Sequence, residues 1–517
     1  MTDLYLSSKL TDSRVRTMNN CPINQDGEFI LYWMTSCRRF AFNASLQHAV
    51  TLSNQLKKPV LVVEAVSITH KFANDRILSF MVQGIMDNID EFKENSVSYM
   101  PWVEIKQKAG AKMLRSLSKR SVCVIIDDYP TYTPSKIRDA AGRNLQVRVD
   151  AVDSNGIFPM NWAEKEFTTA YSFRKYVQKN ILDAFHTIPE KNPTQHREGD
   201  LRVSEEIIAN LKDDLGFEST PLEWLWRVAE GGTVGNQAME EFPIDHTVPA
   251  VITSKGGVNE ARIRLQKFLN YRLNKYSTDR NNPDKPAVSG LSPWLHFGHI
   301  SSYEIIQNVL SKENWSPDSL NHEDTGKGTR SGWWGVSESA SSFLDQIITW
   351  RELGFNFAYN REDHATVETI PNWAKLSMKE HLNDDRTIYS LEELERAETH
   401  DEIWNAAQRE LLRTGQMHNY MRMLWGKKIL EWSPSPEIAA ENMIYINDKW
   451  ALDGRDPNSY TGIFWVLGRH DRAWGPERPI FGKVRYMSSE SAYRKLKLKN
   501  YLQKYAKDEN ITLAKFG

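Results

Sequence analysis

The sequence has few cysteines, and it lacks the features that mark several large protein classes. Its three cysteines, Cys21, Cys37 and Cys123, form no CxxC pair, so neither a disulfide framework nor a zinc ribbon is indicated. No uncharged apolar run is long enough to span a membrane. The formal net charge of -2 argues against a uniformly basic, histone-like protein, but it is compatible with one basic groove on a neutral body.

The beginning of the chain, MTDLYLSSKLTDSRVR, carries an early aspartate and has no apolar core. It is therefore not predicted to be a secretory signal peptide. Together with the cysteine usage, this predicts a reducing, cytoplasmic location. A chain of 517 residues can bury a large core and is expected to contain more than one domain.

The first part of the chain, from Glu28 to about Met160, alternates between short apolar runs and helical stretches. The runs EFILYWM, PVLVVEAV, SVCVIIDD and VRVDAVD are predicted strands, and FAFNASLQHAVTLSNQLK is a predicted helix. Strands separated by helices predict βαβ units and a parallel, Rossmann-like sheet. No GxGxxG follows a strand and no Walker A motif is present, so an α/β domain that binds no ligand stays equally open.

The rest of the chain is polar at first and then helical. Charged stretches such as NPTQHREGD and LKDDLGFEST predict a loop-like interdomain connection with helical parts. From about Val258 onward, apolar residues recur at helical spacing. We predict an α/β domain over 1–180, a linker over 181–250 and an all-helical domain over 251–517. The glycine-rich segment NHEDTGKGTRSGWWGVSES is predicted to be a surface insertion and is a candidate mobile segment.

Three tryptophans lie in the stretch WNAAQRELLRTGQMHNYMRMLWGKKILEW, at positions 404, 425 and 432. Trp425 and Trp432 are seven residues apart, which on a helix is two turns with a drift of about 20° and a rise of about 10 Å. Their indoles are therefore expected to share one face. Either this is a well-packed core helix, or the rings are spaced for a function that needs indoles.

A glycine between two serines marks a candidate anion site. In YSTDRNNPDKPAVSGLSPWLHFG, Ser289 and Ser292 flank Gly290 and Leu291 just before an apolar segment. Free N–H and O–H donors at a helix entry suit an anion such as a diphosphate. The same residues also fit a simple N-cap at Ser292, with Pro293 as the first helical residue.

Three further stretches are richer in polar or aromatic residues than a plain core. In FLDQIITWRELGFNF, Gln346 and Trp350 are four apart on one helix face, an arrangement that is more common in packing than in function. The segment INDKWALDGRDPNSYTGIFWVLGRHDRAW suits a loop-built site or a turn-rich surface. The basic tail GKVRYMSSESAYRKLKLKNYLQKYAK is either a solvated helix face or a phosphate-binding strip.

Five motifs in this order carry a specific resemblance: LSPWLHFGHIS, WRELGFNF, THDEIWNAAQRELLRTGQMHNYMRMLWGKKILEW, NDKWALDGRDPNSYTGIFW and HDRAWGPERPIFGKVRYMS. The sequence closely resembles the photolyase/cryptochrome family, and within it the class II cyclobutane pyrimidine dimer photolyases. The resemblance is strong over 270–487 and colinear over the α/β part. It implies a light-driven DNA repair enzyme with FAD in the helical domain and an antenna-type α/β domain.

The resemblance also implies roles for single residues, and no metal. An electron relay to the flavin is implied at Trp425, Trp404 and Trp432. Residues that match FAD-binding positions are Tyr276, Val288, Ser289, Gly290, Leu291, Ser292, Arg351, Arg422, Asn447, Asp453 and Gly454. Residues that match the catalytic pocket for the flipped dimer are Gln346, Trp350, Met423, Trp465 and Asn447, the last near the reactive flavin nitrogen. Residues that match the DNA side are Arg280, Asn281, Trp474 and Arg485.

The chain departs from the class II pattern at two places. Gln346 stands where that pattern has a glutamate, and an amide can neither transfer a proton nor carry a charge. The stretch VLGRHDRAW is one residue shorter than the usual glycine–glycine version, and the insertion around Trp333 and Trp334 is also atypical.

Two functions follow from the resemblance and its departures. The leading function is a monomeric photolyase that acts on UV-damaged DNA. The alternative is a cryptochrome-like blue-light photoreceptor, or a photolyase with altered lesion choice that does not repair cyclobutane dimers. A second, antenna chromophore is compatible with the family, although the sequence fixes neither its presence nor its identity.

Overall fold

The computed structural model describes residues 12–106 and 108–507. The first eleven residues, for which no signal peptide is predicted, and the last ten of the predicted helical domain lie outside the described residues. The strands are β1 (Val15–Thr17), β2 (Phe29–Met34), β3 (Val60–Val66), β4 (Ser98–Val103), β5 (Ser121–Asp127) and β6 (Val149–Val152). The α-helices are α1 (Ala44–Leu56), α2 (Asp75–Glu94), α3 (Ala109–Arg120), α4 (Tyr132–Asn144), α5 (Ala170–Phe185), α6 (Glu205–Leu215), α7 (Leu222–Glu230), α8 (Gly232–Met239), α9 (Val258–Tyr271), α10 (Tyr276–Asp279), α11 (Ser292–His296), α12 (Ser302–Lys312), α13 (Glu338–Leu344), α14 (Arg351–Asn360), α15 (Asn372–Glu380), α16 (Leu391–Glu395), α17 (Glu402–Thr414), α18 (Asn419–Glu431), α19 (Pro436–Trp450), α20 (Pro457–Val466), α21 (Ser489–Lys495) and α22 (Lys499–Lys504).

The chain divides into two compact units that interleave along the sequence. The α/β unit takes in the described residues of 1–164, 180–265 and 291–317, and the helical unit takes in those of 165–179, 266–290 and 318–517. This division differs from the predicted boundaries at 180 and 250. The predicted linker contains α6, α7 and α8. Leu211 and Phe217, from its supposedly loop-like stretch LKDDLGFEST, are fully buried in a core cluster of the sheet.

The strands of the α/β unit pair in the order β1-β6-β5-β2-β3-β4. All pairs are parallel except β1 with β6. The predicted fold class is confirmed, and the four predicted strands correspond to β2, β3, β5 and β6. The strands that sequence reading missed are both at the edges of the sheet. β1 has only three residues, and β4 contains Pro101, which cannot donate a ladder hydrogen bond and is tolerated at an edge.

Alternate residues of β2 pack into two different hydrophobic clusters, one on each face of the sheet. One cluster takes Phe29, Leu31 and Trp33, and the other takes Ile30, Tyr32 and Met34. This is the period of two that a strand imposes on its side chains. Because both faces are covered, the strand is uniformly apolar, as expected for a parallel sheet.

The carboxyl ends of β2 and β5, where the strand order changes direction, are filled by a side chain of the protein itself. Oδ2 of Asp127, the last residue of β5, accepts hydrogen bonds from the backbone N–H groups of Thr35, Ser36 and Cys37, at 2.8, 2.8 and 2.9 Å. The Tyr32 hydroxyl donates to Oδ1 at 2.7 Å. Dinucleotide folds bind phosphate on backbone N–H groups at such a switch point. Here a carboxylate takes that place, which agrees with the missing GxGxxG motif.

In the helical unit, the predicted helix SSFLDQIITWRELGFNFAYN is interrupted by a wider turn. α13 continues into a π-helical segment, Asp345–Trp350, and this leads into α14. Gln346 and Trp350 both lie on the π-helical segment. Such segments are frequent at functional sites. Within the described part of the chain, no helix is long and apolar enough to cross a membrane.

The glycine-rich insertion before α13 is packed by its own aromatic residues. Trp333 and Trp334 are buried, and their ring centroids are 4.9 Å apart. The backbone N–H of Gly328 donates to Oε1 of Gln178 on α5 at 2.7 Å. The insertion therefore has packing contacts at its tryptophans and a backbone contact to α5, and its mobility stays a prediction.

Candidate functional site

α17 and α18 carry the three tryptophans, and their ends are set by local sequence. Asp401 caps α17 by accepting hydrogen bonds from the backbone N–H groups of Ile403 and Trp404, both at 3.1 Å. The helix ends at Gly415, whose φ of +66° favours glycine. A short turn leads into α18, and Trp432 forms the C-cap of that helix.

The three tryptophans form a connected, buried series in which Trp404 is the middle member. Its indole Nε1 donates to the backbone oxygen of Trp425 at 3.0 Å. Its ring meets that of Trp432 edge to face, with centroids 5.4 Å apart. Trp404, Trp425 and Trp432 are 0%, 3% and 2% exposed. The sequence predicted that Trp425 and Trp432 share a helix face, and the structure adds that the residue joining them comes from the neighbouring helix.

Four of the predicted FAD-binding residues lie around one ion pair. Nη2 of Arg422 is 2.9 Å from Oδ1 of Asp453. Gly454 follows Asp453 and approaches α19 so closely that a Cβ there would lie 2.6 Å from the backbone oxygen of Asn447. Asn447 itself is buried, and its amide lies 3.3 Å from the carboxylate of Asp448. These elements meet because the α19–α20 turn has no side chain at Gly454.

Buried polar atoms without a protein partner lie in the turn before α18. Nδ1 and Nε2 of His418 and Nε2 of Gln416 make no hydrogen bond of good geometry to the described residues. Burial lowers the pKa of His418 to about 4, and a weaker contact with the backbone of Arg280 opposes this shift, so the ring is neutral at pH 7. The backbone oxygen of His418 accepts from the N–H of Arg422 at 2.8 Å, one helical turn away. Buried polar groups are normally paired, so this place suits a ligand rich in donors and acceptors, such as FAD.

Neither Gln416 nor His418 was singled out from the sequence. Both lie in the stretch RTGQMHNYMRM, directly before Arg422. The available signal was two polar residues in a turn between two predicted helices. It was masked by the helical periodicity on either side.

Tyr276 lies at the start of α10 and is buried against aromatic rings. Its ring centroid is 5.3 Å from that of Phe343, edge to face. The guanidinium carbon of Arg280 is 5.7 Å from the centre of the Tyr276 ring. Tyr276 and Arg280, predicted for FAD and for DNA respectively, are thus neighbours. Asn281 follows them and is exposed.

The serine-flanked segment differs from the predicted N-cap. α11 begins at Ser292, the cap position is Leu291, and no side chain makes a capping hydrogen bond. The interpretation of Ser292 as the cap is therefore wrong, because the residue already has helical geometry. Gly290 has a φ of +66°. The segment also spans the boundary of the units, since Val288, Ser289 and Gly290 belong to the helical unit and Leu291 and Ser292 to the α/β unit.

The residues predicted to line the lesion pocket differ from the relay tryptophans in exposure. Gln346, Trp350, Met423 and Trp465 are all half-buried, whereas the three relay indoles are buried. Half-buried aromatic and thioether side chains offer an apolar surface to a ligand while remaining accessible. Arg351, which follows Trp350, has its guanidinium carbon 4.5 Å from the centre of the Phe355 ring.

A buried lysine lies behind one of these walls. Nζ of Lys427 is 5.1 Å from the ring centre of Trp465 and donates to the backbone oxygen of Val466 at 2.6 Å. Burial lowers the pKa of Lys427 to about 7, while the nearby charge of Asp471 opposes this shift and that of Arg485 adds to it. Sequence reading missed Lys427, because a KK pair in a helix normally indicates solvent exposure.

Two of the remaining predicted residues, Arg485 and Trp474, form one cluster with Trp465. The guanidinium carbon of Arg485 is 5.7 Å from the ring centre of Trp465 and 4.9 Å from that of Trp474. The indole Nε1 of Trp474 donates to Asp471 at 3.2 Å. Arg485 is exposed. An exposed cation between two accessible indoles suits a nucleic-acid backbone with unstacked bases.

The shortened stretch VLGRHDRAW is firmly attached within the helical unit. Arg469 forms an ion pair with Glu166, and its Nη1 donates to the backbone oxygen of Thr369 at 2.6 Å. Nδ1 of His470 is 3.0 Å from the backbone oxygen of Thr168, and His470 has a positive φ of 59°. The loop is therefore held by named contacts despite its reduced length.

Comparisons with known proteins show which family the chain is similar to. No family model matches the chain. The chain is 31% identical over 495 residues to the deoxyribodipyrimidine photo-lyase of Methanothermobacter thermautotrophicus. The aligned region covers 95% of this chain and 97% of that relative. It is 32% identical over 510 residues to the deoxyribodipyrimidine photo-lyase of Oryza sativa subsp. japonica, covering 95% and 90%. Its fold resembles the archaeal photolyase from Sulfolobus tokodaii, with a TM-score of 0.60 and 14% identity over 94% of this chain and 92% of that one. The chain therefore belongs to the photolyase/cryptochrome family, within it to the deoxyribodipyrimidine photo-lyases.

Proposed function

We propose that the protein repairs UV-damaged DNA by splitting cyclobutane pyrimidine dimers with blue light and reduced FAD, as a class II-like photolyase. The observation that carries this proposal is the similarity to photo-lyases over 95% of the chain. The site adds a buried tryptophan series and, in the turn before α18, polar atoms without a hydrogen bond of good geometry to the described residues. A monomeric state and a cytoplasmic location remain expectations from the sequence.

FAD fits the polar groups of the helical unit. Arg422 and Asp453 offer a cation and a carboxylate side by side, and Gly454 permits a close approach to the backbone. The ring nitrogens of His418 and the amide of Gln416 supply further hydrogen-bonding groups. The other proposed holding residues are Tyr276, Val288, Ser289, Gly290, Leu291, Ser292, Arg351 and Asn447. When bound in its reduced form, FAD supplies, under blue light, the electron that opens the dimer.

The half-buried walls suit a dimer that has left the DNA stack. Trp350 and Trp465 offer ring faces to the bases, and Met423 fills space between irregular surfaces. The amide of Gln346 donates one hydrogen bond and accepts another, which matches a base edge. A damaged, poorly paired step leaves the duplex at low cost, so extrusion needs little protein distortion.

The cluster of Arg485, Trp465 and Trp474 positions the damaged strand. An exposed guanidinium binds a phosphate, and such contacts fix register without reading sequence. Arg280 and Asn281 are proposed to contact the DNA as well. The basic tail that forms α21 and α22 keeps its two interpretations, a solvated face or a further phosphate strip.

The tryptophan series maintains the cofactor in its working state. Trp425, Trp404 and Trp432 pass single electrons inward, because an indole tolerates transient oxidation and spreads the charge over a large ring. Their burial excludes water along the path.

The α/β unit is proposed to be the antenna-type domain. The photolyase from Sulfolobus tokodaii holds two FAD molecules and is described as implying a novel light-harvesting cofactor. This supports FAD for the present chain and makes a second chromophore a further proposal.

A cryptochrome-like photoreceptor, or a photolyase with altered lesion choice, is the second candidate function. The observation that favours it is Gln346, the amide in place of the family's carboxylate. Such a protein would bind FAD and undergo photoreduction but would leave cyclobutane dimers intact.

The test uses the purified protein after FAD loading and full reduction. UV-irradiated oligo(dT) is incubated with it under blue light and in the dark, and the return of absorbance near 260 nm is followed. The proposal expects recovery in the light only. A protein that stays colourless after incubation with FAD, or that leaves the dimers intact under light, would contradict it.

A further inference from the structure

The C-terminal end of α20 is held by a lysine from a different helix. Lys427 lies in α18 and is 0% exposed, and its Nζ donates to the backbone oxygen of Val466, the last residue of α20, at 2.6 Å. The last carbonyl groups of a helix have no partner within that helix, and the helix dipole places partial negative charge there. An ammonium group at this position therefore caps α20 and offsets part of that charge.

The same ammonium group lies over the ring of Trp465, with Nζ of Lys427 5.1 Å from the ring centre. A cation within about 6 Å of an indole centre is attracted by the negative face of the ring, and the attraction is stronger where water is excluded. The guanidinium carbon of Arg485 lies 5.7 Å from the centre of the same ring. One indole thus has a buried cation and an exposed cation beside it, so its orientation depends on charge as well as on packing.

The shortened segment after α20 carries the opposite charge. Oδ1 of Asp471 accepts from the indole Nε1 of Trp474 at 3.2 Å, and its buried Oδ2 makes no hydrogen bond of good geometry to the described residues. The pKa of Lys427 is lowered by burial to about 7, raised by the charge of Asp471 and lowered by that of Arg485. Lys427 is therefore linked to two indoles of the proposed DNA side, to Trp465 by direct contact and to Trp474 through the charge of Asp471.

Packing alone does not require a lysine at this position. Taking a charge out of water is costly, and an apolar residue of similar volume in place of a buried charge often leaves stability unchanged or raises it. A methionine would fill the same space as Lys427. The helix cap and the ring contact give the ammonium group a role that a methionine would not supply.

We propose that Lys427 is a positioning residue for lesion binding, which holds Trp465 in the orientation that receives the flipped dimer; this rests on the proposed function. Lys427 is completely buried, so it acts through Trp465 and not by touching the DNA. It caps the helix that carries Trp465 and attracts the ring of that residue. The backbone and the side chain of this wall are thereby both fixed in the protein without DNA, and less ordering is left to occur on binding.

The charge of Lys427 gives this positioning a pH dependence. Because its pKa in the folded protein is about 7, the ammonium form is present below about pH 7 and is lost above it. The contacts that need the cation therefore weaken as the pH rises through this value. We expect the wild type to bind a thymine dimer about three- to tenfold more weakly at pH 8.5 than at pH 6, the range that a desolvated cation–π contact supplies. Lys427→Met should lack this part of the pH dependence.

The test measures the dissociation constant of a duplex with one thymine dimer by fluorescence anisotropy, in the dark and with FAD-loaded protein. The wild type, Lys427→Met, Trp465→Leu and the double variant are compared at pH 6. Lys427→Met should bind the dimer about three- to tenfold more weakly and bind undamaged duplex as the wild type does. In the Trp465→Leu background the same substitution should change dimer binding by less than about twofold, because Lys427 acts through that ring.

Lys449→Met is the matched control. Nζ of Lys449 lies 5.4 Å from the ring centre of Trp450 and 2.7 Å from Oε1 of Glu395. It is therefore also a lysine over an indole, but its partners belong to α16 and α19 and not to the cluster of Arg485. Its affinity for the dimer should equal that of the wild type. Urea unfolding of each variant establishes that it is folded under the assay conditions.

Two outcomes overturn the inference. One is a Lys427→Met variant that binds the dimer as tightly as the wild type, and the other is an equal loss with and without the ring of Trp465, which indicates a general structural effect. If Lys427→Met does not fold, the wild-type profile decides, and a dimer affinity that is the same at pH 6 and pH 8.5 overturns the inference.

Failure of the proposed function looks different from failure of this inference. A wild type that binds damaged and undamaged duplex equally has no lesion pocket, so the proposed function is contradicted and the role of Lys427 falls with it. A wild type that prefers the damaged duplex, beside a Lys427→Met variant of equal preference, contradicts only the role of Lys427.

Discussion

The two units treat their buried polar groups differently at the places where a ligand is expected. At the switch point of the α/β unit, the backbone N–H groups of residues 35–37 all donate to Asp127. The side-chain hydroxyl of Thr35 is buried at the same place and has no hydrogen-bond partner among the described residues. In the helical unit, both ring nitrogens of His418 and the buried Nε2 of Gln416 make no hydrogen bond of good geometry to the described residues. The contrast is that Asp127 satisfies the backbone N–H groups at the switch point of the α/β unit, whereas polar atoms in the turn before α18 are left for the proposed FAD.

Removing the carboxylate of Asp127 should have the largest effect. Asp127→Ala leaves three N–H groups and two hydroxyls without their acceptor. Since each unpaired buried group costs about 1–3 kcal/mol and water can reach some of them, we expect a loss of about 3–5 kcal/mol in the free energy of unfolding. Urea unfolding followed by circular dichroism measures it. The exposed Asp26→Ala is the control, and equal stability of both variants would refute the role of Asp127.

In the helical unit, the open site should lose its ligand when its ion pair is broken. Arg422→Ala removes the cation beside Asp453. A hydrogen bond to a charged group contributes about 1.5–3 kcal/mol, so FAD affinity should fall about 10- to 100-fold. Equilibrium dialysis with FAD checks this. Arg396→Ala, at an exposed ion pair on the same unit, should bind FAD as the wild type does, and unchanged binding in Arg422→Ala would argue against this site.

The buried indoles should matter for electron flow rather than for FAD binding. Trp425→Phe and Trp404→Phe are each expected to slow photoreduction by external thiol by at least about tenfold, equivalent to 1.4 kcal/mol in the barrier. FAD content should stay the same. Absorbance under illumination and thermal melting are recorded together, with the exposed Trp226→Phe as control. Variants that melt earlier but photoreduce normally would show that these rings are only core.

Lys427 gives the helical unit a pH dependence that can be measured. Its pKa is about 7 in the folded protein and about 10.4 in an unfolded chain. Between these values the unfolded state binds more protons at this residue, so its contribution makes stability rise with pH. The slope is at most about 1.4 kcal/mol per pH unit. Unfolding free energies at pH 7.5, 8.5 and 9.5 should rise more steeply in the wild type than in Lys427→Met, and parallel profiles would contradict the burial of a neutral lysine.

The smallest effect is expected at Gln346. A charged hydrogen bond exceeds a neutral one by about 1 kcal/mol, which is roughly fivefold in rate. Gln346→Glu should therefore change the yield of dimer repair by less than about tenfold. Initial repair rates of reduced wild type and variant under limiting light are compared, and Gln346→Asn serves as a control that keeps the amide.

The sequence predicted the sheet well where the strands are central and apolar. β2, β3, β5 and β6 follow from runs of buried residues, whereas the edge strands β1 and β4 carry too little apolar pattern. Helical parts were predicted for the connection, but charged residues on the exposed faces hid the bounds of α6, α7 and α8 and the burial of Leu211 and Phe217. A short helix with charged residues on one side is hard to distinguish from a loop unless the contacts of its other side are known.

The sequence named candidate site residues, but it could not give their arrangement. Sequence motifs pointed to Arg422 and Asp453, which are 31 positions apart, and only the structure shows their ion pair. Helical spacing related Trp425 to Trp432, but no periodicity relates either to Trp404 on another helix. Lys427 was missed for a different reason, because only tertiary packing can bury a lysine completely.

The most direct test of the central claim is repair of one defined thymine dimer in duplex DNA by the fully reduced wild-type protein. Dimer loss is followed by chromatography after blue-light exposure and in a dark control. We predict light-dependent conversion to two thymines by the wild type with its native Gln346. If the wild type converts none and Gln346→Glu does, the amide is an inactivating change, the photolyase assignment is contradicted and the photoreceptor function is favoured.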